Sequence, residues 1–140
     1  MTKSVFLILL VVLLACRAAF AGETITAQDV EGYFYADGVM KRSKGQFEIT
    51  YYIEGNTVTR TRVYDIDKKQ VIPDDTVYQI QRQLLPDQTI GASLSDKPVI
   101  RAIGQPGLDA MEILIIGDTF IQSVKSTSDN FVISRLKRIK

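Results

Sequence analysis

No histidine and no tryptophan occur among the 140 residues, and there is a single cysteine. Without histidine, the Ser-His and Cys-His nucleophilic pairs are out of reach, and so are zinc sites built on imidazole. One cysteine cannot close a disulfide within the chain, so the fold must rest on its core alone. Without tryptophan, the largest ring for stacking on sugars is missing. A charge excess is missing too. The 17 Lys and Arg and 16 Asp and Glu leave a formal net charge of +1, too even to draw the chain onto nucleic acid or anionic lipid. No apolar run reaches the roughly 20 residues that span a bilayer.

The longest such run, residues 5–14, comes after Lys3 and precedes a cluster of small residues. A basic start, a short apolar run and small residues beyond it describe a secretory signal. Two cuts compete. Ala19-Phe20-Ala21 is an A-x-A site, which makes Gly22 the first residue of the mature chain. Leu13-Leu14-Ala15-Cys16 resembles a bacterial lipobox, in which Cys16 becomes the lipidated first residue; a small residue usually stands where Leu14 is. The A-x-A cut is therefore preferred. The expected organisation is a cleaved signal at 1–21 and one β-rich domain at 22–140. The expected location is periplasmic or extracellular. Lipidation at Cys16 would make the protein a membrane-anchored lipoprotein instead. The basic tail of Arg135, Lys137, Arg138 and Lys140 is the other feature that could touch a membrane.

Beyond Gly22 the chain reads mostly as strands. Thr26 and Asp29 have capping-box spacing, and Gly32 could close a short helical turn. Asp37-Gly38 marks a hairpin between strands at 33–36 and 39–43, and Gly55-Asn56 joins a second, Thr- and Tyr-rich hairpin. One helix is expected at 75–85. Asp74 or Asp75 would cap it, Val77, Ile80 and Leu84 would form its apolar stripe, and Pro86 would stop it. Residues 89–96 form an edge strand or a loop. Four strands complete the chain, separated by Pro106-Gly107, Gly117-Asp118 and Asp129-Asn130. The fold class is mainly β with one helix. About eight antiparallel strands form a small barrel or strongly curved sheet, with the helix packed on it or closing it.

Catalytic constellations are sparse. Ser134 and Lys137 fit S-x-x-K, but in a strand rather than at a helix start. Asp65, Asp67, Asp74 and Asp75 lack the spacing of a calcium loop, since Lys69, Gln70 and Thr76 stand where an acid or Asn, Gly and Glu would be needed. No metal or cofactor is expected. Arg60 and Arg62 carry the sharpest expectation. At period-two spacing in a β-patterned segment they share a face with Tyr64, and with Tyr51 across the hairpin they could hold an anionic ligand. A two-residue turn sets Arg60 opposite Tyr51 and Arg62 opposite Ile49; a three-residue loop sets them opposite Tyr52 and Thr50. The competing reading has exposed arginines resting on tyrosine rings. Tyr33, Tyr35, Tyr51, Tyr52 and Tyr64 could also form a recognition surface. The expected function is a non-catalytic envelope module binding a small anionic ligand or an envelope protein. Alternatives are a structural or inhibitory domain without a pocket, and an enzyme using carboxylate and tyrosine alone.

Overall fold

The computed structural model describes residues 22–84 and 99–139. Cys16, Ala19 and Ala21, on which the two processing sites depend, lie outside the described residues, as do 85–98 and Lys140.

Turn residues divide the described chain into ten strands: β1 (Glu23–Ala36), β2 (Val39–Ser43), β3 (Phe47–Glu54), β4 (Thr57–Asp65), β5 (Gln70–Ile72), β6 (Val77–Leu84), β7 (Val99–Gly107), β8 (Ala110–Ile116), β9 (Phe120–Ser126) and β10 (Phe131–Arg138). Asp37 and Gly38 both take positive φ, as the expected hairpin turn requires, and Gly55 does so in the second hairpin. Strands pair in the order β1-β3-β4-β6-β7-β8-β9-β10, and β10 returns to pair with β1. The result is a closed, antiparallel, eight-stranded barrel. β2 extends the sheet beside the far half of β1, and β5 folds back on the end of β4. Closure leaves the eight barrel strands with no free edge along their paired lengths.

No helix occurs among the described residues, which corrects two expectations. The turn expected at Thr26–Asp29 lies inside β1, whose alternation buries Ile25, Ala27 and Asp29. The helix expected at 75–85 is β6. Its residues satisfy two periods at once: Val77 and Ile80 suit a helical stripe, but Tyr78 and Ile80 also alternate with exposed Val77, Gln79 and Gln81. Pairing with β4 on one side and β7 on the other decides for the strand, as tertiary context overrides weak local preference. Asp74 caps no helix; its Oδ1 accepts the Thr76 amide at 2.9 Å in a local turn.

The core fills one half of the barrel. Ile25, Val58, Ala102, Leu114, Ile116, Ile121 and Leu136 meet there with the rings of Tyr51 and Tyr78. Burying each large aliphatic side chain stabilises the fold by roughly 1.5–3 kcal/mol. Tyr78 sits opposite Gly104, where a Cβ would run into its ring. Gly104 is therefore a packing requirement.

Candidate functional site

Moving along the barrel axis away from this core, the inward positions turn polar. β1 runs Ile25, Ala27, Asp29; β9 runs Ile121, Ser123, Lys125; β8 runs Ile116, Leu114, Glu112; β4 places Arg60 after Val58. With Asp74, these polar groups line a cavity of about 290 Å³, whose remaining walls are Phe47, Ile49, Val63, Val132, Ser134 and Leu136. A second space of about 360 Å³ adjoins it and shares Asp29, Phe47, Val132 and Ser134. It leads out past Phe34, Tyr35 and Asn130. Small-molecule pockets fall at roughly 300–1,000 Å³, so the two together suffice for a compact ligand.

On one side of the cavity lies a polar network in which Arg60 Nε and the Tyr51 hydroxyl are buried without partners among the described residues. Arg60 is 8% exposed and pairs with Glu112 at 2.9 Å and Asp74 at 2.8 Å. Glu112 also accepts hydrogen bonds from the hydroxyls of Tyr78 at 2.8 Å and Ser123 at 2.6 Å. The guanidinium lies 5.7 Å from the Tyr78 ring centre. Burial alone would lower the Arg60 pKa, but hydrogen bonding to Asp74 and the Glu112 charge outweigh it and raise it further. Burial pulls Asp74 up, yet the hydrogen bond from Arg60 wins and holds it below the usual carboxylate range. Tyr78 is pushed far up, first by burial and then by the Glu112 charge. Burial does the same to Tyr51, again helped by Glu112.

Across the cavity stands Asp29, 7% exposed, with Oδ1 buried and without a hydrogen-bond partner among the described residues. Burial pushes its carboxyl up, against hydrogen bonds from the backbone at Gln46 and Glu31. Plain alternation after Ile25 and Ala27 brings it inward, and a bulge at Val30 then shifts the β1–β10 register between Asp29 and Glu31. That shift lets Asp29 and then Phe34 and Ala36, of opposite parity, line one space. Gly45 completes the support: a Cβ there would collide with the Asp29 carbonyl, so only glycine lets the 44–46 loop come this close.

The expected pair of arginines is divided. The turn at Gly55-Asn56 has two residues, which puts Arg60 opposite Tyr51 as that register requires. A bulge at Thr61, facing the step from Thr50 to Tyr51, then places Arg62 opposite Thr50, the position belonging to the other register. Arg60 and Tyr51 consequently face inward. Arg62 faces out, with its guanidinium 4.9 Å from the Tyr64 ring centre and 3.0 Å from Glu48. The shared face expected for Arg60 and Arg62 is thus corrected, because a single extra residue inverts the parity of everything beyond it.

Other expectations resolve simply. Asp65 is buried and accepts the amides of Asp67 and Lys68 and the Gln46 side chain, holding its own turn. Along β10, Ser134 lines the cavity while Lys137 is exposed, so the S-x-x-K residues do not converge. Arg135 stacks 4.0 Å over Phe120, and Arg138 pairs with Glu23 at 2.8 Å. Sequence reasoning missed Asp29, Ser123, Tyr78 and Glu112 as site residues. The legible signal was parity. In the run Ala110, Glu112, Leu114, Ile116, an acid occupies an inward apolar register.

Fold and site together define a closed antiparallel barrel, packed solid at one end and hollow with polar walls at the other. No family model, curated protein or solved structure matches the chain.

Proposed function

We propose that this protein is a non-catalytic binding module, exported to the bacterial periplasm or cell surface, that takes a small ligand into the polar end of its barrel. The observation carrying this is the pair of adjoining spaces, about 290 and 360 Å³, around a buried and partly unsatisfied Asp29. A structural domain would gain more by filling that volume with aliphatic side chains, as it does at the other end. The Arg60 guanidinium, with both terminal nitrogens paired to carboxylates, favours binding over chemistry. Export rests on the basic start, the apolar run and the A-x-A site of residues 1–21. The anionic ligand expected from paired arginines loses its support: Arg62 is outside, and Arg60 is already neutralised by two carboxylates.

Native mass spectrometry of the protein purified from its own host tests this. The wild type should carry a small molecule, and Ser134→Leu, which fills the junction of the two spaces, should carry none while keeping its circular dichroism spectrum. A wild type that retains nothing and an unchanged melting temperature across a small-molecule panel would overturn the reading.

An envelope-protein partner is the second reading. Among the described residues β2 pairs only with β1, and Val39 and Met40 are half exposed beside Tyr33 and Tyr35. Such an edge can accept an added strand.

A further inference from the structure

The inner cavity is not electrically neutral. Asp29, Asp74 and Glu112 face it together with Arg60 and Lys125. Arg60 is held by Asp74 and Glu112, so its charge is more than cancelled within its own network. Lys125, on β9, lines the same cavity, whose three carboxylates and two cations leave one negative charge in excess. Lys44 lines only the outer space and is exposed, where water screens it. Asp29 is left as a buried acceptor with an empty lone-pair direction at the place where the two spaces meet. A buried acceptor without a donor costs free energy, and a buried carboxylate without a counter-charge costs more. A neutral hydroxyl would satisfy the lone pair and leave the charge. An ammonium group satisfies both.

We propose that the ligand is a small amphiphilic cation, its ammonium group donating to the Asp29 carboxylate and its apolar part lying along Phe47, Ile49, Val63 and Val132. This rests on the barrel interior being a ligand site. Apolar walls on the strands that flank β1, beside a carboxylate with one oxygen unsatisfied, define the class: a primary or secondary amine with a short hydrocarbon body. On the opposite side each Arg60 terminal nitrogen already donates to a protein carboxylate, which cancels the guanidinium charge toward an anion, while Arg60 Nε and the Tyr51 hydroxyl are buried without partners among the described residues.

Isothermal titration with octylammonium, 1-octanol and octanoate, three probes sharing one chain and differing in the head group, tests the inference. Octylammonium should bind at least about tenfold more tightly than either of the others. In Asp29→Asn, which keeps the shape and an acceptor, that preference should fall to within about threefold, with binding of octanol retained. Octanol binding to the variant also shows that its barrel is intact. Equal affinities for amine and alcohol in the wild type, or tightest binding of octanoate, would overturn the cation while leaving the binding site standing. Binding of none of the three overturns the site and the cation together. An amine preference that survives in Asp29→Asn overturns the role of Asp29.

Discussion

The two ends of the barrel are built from the same strands by the same alternation, yet they obey different rules. At the filled end, Leu114, Ile116, Ile121 and Leu136 interdigitate, and each contact is interchangeable with another apolar contact of like volume. At the hollow end, two residues further along β8 and β9, the inward positions are Glu112 and Ser123, and every partner is specific. Apolar packing tolerates substitution gradually. A buried ionic network fails when any one member is removed, because the survivors keep their desolvation cost and lose their compensation.

The largest effect is therefore expected at the hollow end. Arg60→Ala strands Glu112 and Asp74 in the interior and should lower stability by about 3–5 kcal/mol in urea melts. Arg60→Met with Glu112→Leu, which removes charge from both sides, should recover much of that loss. At the filled end, Leu114→Ala should cost about 2–4 kcal/mol, the usual range for emptying a buried leucine site. If Leu114→Ala proved far costlier than Arg60→Ala, the two ends would have the same physical basis and the contrast would collapse.

Proton linkage belongs to the hollow end alone, and there Asp29 and Asp74 are displaced in opposite directions. Between the ordinary carboxylate value and the raised value of Asp29, the folded state holds a proton that the unfolded state has lost. Stability from Asp29 therefore declines as pH rises through that window and is level above it. Asp74 does the reverse below the ordinary value: its stabilisation is complete above 3.8 and is lost as pH falls. Urea midpoints of Asp29→Asn and wild type at about pH 3 and about pH 7 should show the variant gaining on the wild type at the higher pH. A constant difference would mean that Asp29 is not displaced. The smallest effect belongs outside the barrel: Arg62→Ala, on an exposed ion pair with Glu48, should change stability by under about 1 kcal/mol.

Much of the strand order was legible because turn chemistry is local. Asp37-Gly38 and Gly55-Asn56 announced their hairpins, and the separators in the second half placed β8 to β10 within a residue or two, whereas β7 runs on through the expected separator Pro106-Gly107. Three things were hidden, each for a physical reason. β6 carries side chains compatible with both periods, and what selects the strand is two neighbours far away in sequence. The bulges at Val30 and Thr61 have no composition of their own, so the parity that takes Arg62 out and brings Phe34 in could not be read from spacing. Asp29 and Glu112 become a site only when the barrel closes across them.

That closure has a kinetic side. β1 and β10 are nearly the whole chain apart, and the Glu23–Arg138 pair spans 115 positions. Hairpins such as β3–β4 and β8–β9 close loops of a few residues and can form early. The β1–β10 seam must wait until a loop of almost full length has come together, with the entropic cost that entails. The seam is also where Asp29, opposite Leu136, enters the interior. Until it zips, the barrel is an open curved sheet with two long free edges, exposed to pairing with other chains. Under the binding role proposed above, zipping the β1–β10 seam also completes the site, and an occupant that reached Asp29 before the seam closed would act as a template for its own enclosure.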